Sequence, residues 1–402
     1  MSEIIHGNCL EVLKSLDENS IDAIVTDPPY ELGFMGKSWD KSGIAFNTEV
    51  WSECLRVLKP GGHMLAFGGS RTFHRIAVAI EDAGFELRDT LMWVYGSGFP
   101  KSYDISKGID KQAGAEREVT GKYKRPDGTN RDYQGWNESS GVTSFNSDNY
   151  SFAGRPITAP STPEAQLWQG WGTALKPAFE PIILARKPIS EKNIAENVLK
   201  WGTGGINIDD CRIPLKGERQ PTGRGKPSKN GVTYNLAIKS GGNGGNRTPQ
   251  QGRWLANFIH DGSEEVLRLF PETKSTPHTP TNGGTGGVGQ STNFQRGSET
   301  SPYRDSGSAA RFFYCAKASR KERGEGNNHP TVKPLALMQY IVRLITPPNG
   351  IVLDPFAGSG STLIAAIREG FKYIGIELNE EYIEIAEKRL QSEQPLFEYN
   401  NT

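Results

Sequence analysis

The sequence predicts an α/β protein built on a doubly wound parallel sheet. Short hydrophobic runs, the length of buried strands, alternate with amphipathic helical stretches at both ends of the chain. Two of these runs, residues 21–26 and 351–353, lead directly into Asp-Pro segments. The first is Asp27-Pro28-Pro29-Tyr30. The second is Asp354-Pro355-Phe356-Ala357-Gly358-Ser359-Gly360. In open α/β sheets, ligands bind at strand ends where the strand order switches.

The elements follow in order. Residues 9–16 read as a short amphipathic helix and 21–26 as a strand. Residues 50–58 form a helix that Pro60-Gly61-Gly62 stops. Residues 63–67 are the next strand and 71–83 the next helix. From 96 to 174, Gly, Ser, Asn, Tyr and charged residues dominate without a period, as in a long excursion from the sheet. Residues 180–185 return to a strand pattern. The prolines of Lys176-Pro177-Ala178-Phe179-Glu180-Pro181 make it an edge strand. Residues 194–200 are a short helix.

Residues 214–310 have the least core character. They hold Gly-rich runs at 241–245 and 283–287 and two ordered islands, 254–258 and 264–269. Order resumes at Arg311. Leu335, Met338, Val342 and Ile345 share one helix face. A strand at 351–353, a helix at 361–368, a strand at 372–376 and a helix through Ile383, Ala386 and Leu390 complete the chain. One sheet is therefore expected from both ends of the sequence. Its expected parts are residues 1–211, an insert at 212–310, and residues 311–402.

Composition narrows the function. At 402 residues the chain has room for two or three domains. Only 35% of residues are hydrophobic and 47 are Gly, which fits an ordered core carrying long polar loops. The formal net charge is zero, but nine Lys or Arg and one acid, Glu218, lie between Arg212 and Arg253. A neutral total can hide a basic face. The cysteines, Cys9, Cys54, Cys211 and Cys315, show no CxxC pairing, and the six histidines no HxxxH spacing. No metal site and no disulfide framework is expected, and free thiols suit a reducing cytoplasm. No signal peptide or membrane span is read.

Asp27-Pro28-Pro29-Tyr30 suits a planar amine. The lone pair of an aromatic exocyclic amine is delocalised into its ring, so attack on an electrophile requires a more tetrahedral nitrogen. A carboxylate and a carbonyl accepting its two N–H groups favour that shape and stabilise the developing positive charge. Asp27 supplies the carboxylate and Pro28 the carbonyl. Pro28 and Pro29 remove two backbone donors from a site that needs acceptors. Tyr30 offers a stacking face. A strand ending in an ordinary proline turn is the plainer reading of the same residues.

The glycines of the second segment permit a tight turn and close backbone approach to a ligand. The helix opening at Ser361-Thr362 presents free N–H groups. A phosphate-binding Gly-Lys-Ser/Thr ending is absent, and a dinucleotide fingerprint would place a third glycine at Leu363. Glu377, at the end of the following strand, is placed to accept from ribose hydroxyls. Asp354 suits an ammonium group.

In this order the two segments resemble the permuted β class of amino-methylating DNA methyltransferases, in which the catalytic motif precedes the recognition region and the cofactor motif follows it. Further matching stretches are Gly7-Asn8-Cys9-Leu10, Leu58-Lys59-Pro60-Gly61-Gly62 and His329-Pro330-Thr331-Val332-Lys333-Pro334. The resemblance covers residues 4–91 and 311–390. It implies a Rossmann-like, circularly permuted sheet that uses S-adenosyl-L-methionine, with a loop-rich target-recognition insert. It implies a flipped base at Asp27, Pro28, Pro29 and Tyr30. Methionine-end contacts would come from Asp354, Gly358, Thr331 and Lys333, and ribose contacts from Glu377. Adenine-ring contacts would come from Phe356, Asn8 and Cys9. Asp27, Pro355, Ser359, Gly360, Ser361 and Thr362 complete the cofactor side. Asn8 departs from the Asp usual in the family.

The expected substrate is double-stranded DNA, held partly by Arg224, Lys226, Lys229 and Arg253. A cognate restriction endonuclease is a candidate partner, the protein is a monomer or homodimer, and the setting is the cytoplasm of a bacterium or a phage-infected cell. The Asp27 motif leans toward adenine N6, since N4-cytosine enzymes more often carry Ser there. RNA adenine methyltransferases of similar order end this motif in Trp rather than Tyr. Phe179 is a second candidate to stack on the flipped base.

Overall fold

A computed structural model gives the fold. It describes residues 2–32, 38–96, 98, 102–122, 156–214, 252–274, 306–316 and 332–393. The chain begins with β1 (Glu3–His6), α1 (Cys9–Ser15), β2 (Ile21–Thr26), α2 (Thr48–Val57), β3 (Leu58–Phe67), α3 (Phe73–Asp82) and β4 (Glu86–Val94). The middle holds α4 (Ile105–Gln112), β5 (Val119–Lys122), β6 (Pro156–Thr158), α5 (Pro163–Leu167), β7 (Phe179–Arg186) and α6 (Ile194–Trp201). Then come β8 (Phe258–His260), α7 (Glu264–Leu267), β9 (Glu272–Lys274), β10 (Ser306–Ser308) and β11 (Tyr314–Cys315). The last part is α8 (Leu335–Ile345), β12 (Ile351–Asp354), α9 (Ser361–Arg368), β13 (Lys372–Glu377) and α10 (Glu380–Gln391).

Nine strands form the main sheet in the order β1-β13-β12-β2-β3-β7-β4-β8-β11. β5 with β6 and β9 with β10 make two small antiparallel ribbons. From the β12–β2 pair, chain order runs outward in both directions, to β13 on one side and β3 on the other. That is the switch point at which ligands bind in such sheets. The Asp354 and Asp27 segments leave these two adjacent strands at the same edge. β8, from the stretch between 212 and 310, pairs with β4 and β11 within this sheet.

Alternation along the central strands builds the core on both faces. Leu65 and Phe67 pack with Leu335, Met338 and Leu363 from α8 and α9. Met64 and Ala66 pack on the other face with Trp51, Ile76 and Ile80 from α2 and α3. All six residues of β2 are buried, Asp22 included. Asp22 is compensated: Lys59 Nζ lies 2.6 Å from its Oδ1, and the Ile351 N–H donates to its Oδ2 at 2.8 Å. That second bond ties β2 to β12.

Three expectations change. The sheet is mixed rather than parallel, and β7 lies in its interior, antiparallel to both β3 and β4. Pro181 fits there because its ladder with β3 has just ended: the Pro181 carbonyl takes the Gly68 N–H, and its missing donor faces the same way, past the end of β3. β3 also starts at Leu58, not His63. Pro60-Gly61-Gly62 lies within the strand, where Gly61 takes φ +79° and donates its N–H to the Lys187 carbonyl, while the Lys187 N–H donates to the Gly62 carbonyl. Asn197 and Thr203 donate to the Pro60 carbonyl at 2.8 and 2.6 Å.

Candidate active site

One cavity of about 1560 Å³ opens at the β12–β2 edge and joins the two Asp-Pro segments. Asn8, Cys9, Asp354, Pro355, Phe356, Gly358, Ser359, Ser361, Thr362 and Glu377 line one part of it. Asp27, Pro28, Pro29, Tyr30 and Lys333 line the other, with Trp93, Tyr95, Phe179 and Glu180.

The nucleotide-sized part is built by capping and glycine geometry. Asn8 caps α1, its Oδ1 accepting from the Leu10 N–H at 3.0 Å. Cys9 is buried, and burial pushes its thiol up to about 11. Gly358 and Gly360 take φ +51° and +80°, and Gly360 caps α9. A side chain at Gly360 would meet the Ala386 Cβ at 3.0 Å, so the loop is pressed against α10. Glu377 Oε2 accepts from the Gly358 N–H at 2.8 Å and Oε1 from the Asn379 N–H at 2.8 Å. Burial raises the Glu377 carboxyl against the lowering effect of these bonds.

Asp354 is fully enclosed. Its Oδ1 accepts from Thr26 Oγ1 at 2.7 Å and from the Phe356 N–H at 3.0 Å, and Thr362 adds a further hydrogen bond. Burial pushes its pKa up to about 6 despite these donors.

The second part is a buried charge cluster. Lys333, 8% exposed at its side chain, places Nζ 2.6 Å from Asp27 Oδ2 and 3.3 Å from Glu180 Oε2. It also donates to the Tyr30 hydroxyl at 3.1 Å. That hydroxyl in turn donates to Glu180 Oε2 at 2.9 Å. Tyr95 donates to Glu180 Oε1 at 3.3 Å. The ammonium also lies 4.8 Å from the centre of the Phe67 ring. Burial pulls the Lys333 ammonium down, but Asp27 and Glu180 outweigh it and leave the group above its ordinary value. Burial, then Asp27 and Glu180, push the Tyr30 phenol well up. It therefore stays a neutral donor. Asp27 Oδ1 is buried and has no hydrogen-bond partner among the described residues. Buried carboxylate oxygens are rarely left so, and an open acceptor in a ligand cavity marks where a donor belongs.

The turn carrying this cluster is pinned. Thr72 Oγ1 donates to the Tyr30 carbonyl at 2.7 Å, and the Glu31 N–H donates to Asp40 Oδ1 at 2.9 Å.

A family model described as DNA methylase (N6_N4_Mtase) matches residues 21–388. The chain belongs to this DNA methylase family. Among its relatives, the type II methyltransferase M.HindIII of Haemophilus influenzae is 23% identical, over 99% of this chain and 97% of that protein. YubD of Escherichia coli is 52% identical over 67 residues, 17% of this chain and 30% of YubD. The DNA adenine methyltransferase YhdJ of Escherichia coli is 53% identical over 66 residues, 16% of this chain and 22% of YhdJ. Against the last two, the chain thus spans under a third of the relative's length.

Most sequence-derived candidates of the family's motifs meet in the cavity. Lys333, expected beside the methionine end of the cofactor, lines the cavity and makes polar contacts with Asp27, Tyr30 and Glu180. Arg253 is not a cavity residue: its guanidinium lies 4.4 Å from the Phe312 ring centre, and its backbone pairs with Ile213. Thr331, Arg224, Lys226 and Lys229 lie outside the described residues. Phe179, the second candidate to stack on the base, lines the cavity. Glu180 and Tyr95 were not foreseen. The proline-flanked segment around Glu180 was visible in the sequence, but an acid in a strand carries no local sign that it turns inward.

Among the described residues, no group of His, Cys, Asp or Glu is arranged to hold a metal ion, and no helix is long and apolar enough to cross a membrane.

Proposed function

We propose that this protein transfers a methyl group from S-adenosyl-L-methionine to the exocyclic N6 of an adenine flipped out of double-stranded DNA. The observation that carries the reading is Asp27: one carboxylate oxygen held by Lys333, the other open within the cavity shared with the glycine loop.

When bound, S-adenosyl-L-methionine supplies a methyl group made electrophilic by its sulfonium. The Gly358–Gly360 turn, Asp354 and Glu377 are the residues to hold it, and Phe356, Asn8 and Cys9 flank the space for its base. The donor set fits: two carboxyl groups suit ribose hydroxyls and an ammonium, and disfavour phosphate. Asp27 Oδ1 accepts one amine N–H and the Pro28 carbonyl the other, which turns the nitrogen lone pair toward the methyl group. Tyr30, fixed through its hydroxyl, stacks on the base. The Asp27 carboxylate need not be a strong base, because the methylated amine is acidic enough to lose its proton afterwards.

Asp at position 27 and the short YhdJ match favour adenine. Cytosine N4 presents a similar amine and is the second reading. The test is single-molecule sequencing of DNA from a methylation-free host expressing the protein, with Asp27→Ala as control. N6-methyladenine in one short motif is the expected result. N4-methylcytosine would correct the base, and unmodified DNA with cofactor still bound in vitro would overturn DNA as the substrate.

A further inference from the structure

Glu180 belongs to neither sequence motif, yet it takes bonds from Tyr30 and Tyr95 and lies 3.3 Å from Lys333. It reaches the cluster from the start of β7, while Asp27 comes from the end of β2, two strands away. Between them sits one buried ammonium. The formal charges are those of two carboxylates and one lysine, a net of −1.

We propose that Glu180 is a positioning residue that holds the catalytic cluster at a net charge of −1, so that Lys333 orients Asp27 without cancelling its pull on the amine. The inference rests on the methyl-transfer reading. Attack by the amine develops positive charge on its nitrogen. An Asp27–Lys333 pair alone would be neutral and would present that nitrogen with a dipole whose positive end lies 2.6 Å from the carboxylate. Because the ammonium is buried, such a charge is poorly screened. Glu180 offsets it from the far side and leaves the field of a full carboxylate at Asp27 Oδ1. Lys333 is needed in turn, because two bare carboxylates in one buried site cannot both stay ionised. The Tyr30 hydroxyl accepts from Lys333 and donates to Glu180, which fixes the ring.

Counting charge gives a test that separates this role from simple support. The turnover rate is measured with radiolabelled S-adenosyl-L-methionine on DNA from a methylation-free host, and cofactor affinity by calorimetry. Wild type is compared with Glu180→Gln, Lys333→Met and the double variant. Glu180→Gln brings the net charge to zero and is expected to lower kcat about 10- to 100-fold, with cofactor Kd within about 3-fold of wild type. The double variant restores −1 and is expected to recover at least about 5-fold over Glu180→Gln, although it has lost a further contact.

A Glu180→Gln enzyme at the wild-type rate, or a double variant no faster than Glu180→Gln, would overturn the proposal while leaving methyl transfer intact. No transfer by wild type would overturn both. Should Glu180→Gln fail to fold in a thermal melt, the double variant is set against Lys333→Met. It should be the faster of the two at neutral pH, because Lys333→Met leaves two carboxylates competing for one proton. A slower double variant overturns the proposal.

Discussion

Asp27 and Asp354 end neighbouring parallel strands, and each is followed by a proline, but their surroundings differ. Asp354 is closed in by Thr26, the Phe356 N–H and Thr362, and burial pushes it up to about 6. Asp27 has a lysine on one oxygen and, among the described residues, no partner on the other. One carboxyl group is tied into its own fold by several donors, and burial raises its pKa so that its charge is available only above mild acidity. The other has one oxygen 2.6 Å from a buried ammonium and keeps an acceptor open. Two similar tripeptides, Asp27-Pro28-Pro29 and Asp354-Pro355-Phe356, thus serve opposite purposes because different partners meet them. Thr26 touches Asp354 across the strand pair, so the two loops are mechanically joined.

The sharpest way to break this comparison is Asp27→Ala. Turnover is expected to fall by more than about 10³-fold, since the acceptor for the amine is gone. Cofactor Kd should change by less than about 3-fold. A variant with near-wild-type rate in a methyl-transfer assay would remove Asp27 from the chemistry.

Asp354→Asn should do the reverse. Cofactor affinity is expected to drop by about tenfold or more with the loss of a charge for the ammonium. Stability above pH 6 should rise rather than fall. The folded-state pKa of Asp354 lies above its unfolded value, so ionisation costs the fold up to about 3 kcal/mol once the pH passes about 6. The asparagine oxygen can still accept from Thr26 and Phe356. Calorimetry and a thermal melt at pH 7.5 read both effects, and a lower melting temperature would contradict the account.

The same group sets a pH dependence. Cofactor affinity is expected to weaken as pH falls through about 6, by up to tenfold per unit below it, because the carboxyl becomes neutral. The dependence should vanish in Asp354→Asn. A titration of Kd from pH 5 to 8 checks it, and a flat wild-type curve would assign the ammonium contact elsewhere.

The smallest effect concerns the loop's backbone. Gly360 has φ +80° and no room against Ala386, so Gly360→Ala should cost about 1–2 kcal/mol in a denaturant melt. The Asp27 turn has a left-handed residue of its own, Glu31 at φ +55°, just after the prolines that fix the preceding backbone.

Local chemistry decided much of this in advance. Residues 21–26 form a strand because they are apolar and β-branched apart from one compensated acid. The helix at 361–368 starts where Gly360 permits a left-handed residue. Both Asp-Pro segments are legible because a proline after a strand and glycines before a helix restrict the backbone wherever they occur. The place of β7 was not legible, since Pro181 excludes a strand interior unless the neighbouring ladder has ended, and only the register with β3 shows that it has.

The sequence by itself determined five of the nine strands of the main sheet, where β2 and β12 stop, and that two acids stand at those stops. The tertiary structure alone decided that the stops are adjacent, that Lys333 crosses 306 residues of chain to reach Asp27, and that Glu180 and Tyr95 complete the cluster. The physical reason is range. Dihedral preference and hydrophobic period act within a few residues, whereas a buried charge is matched only by whichever elements pack around it.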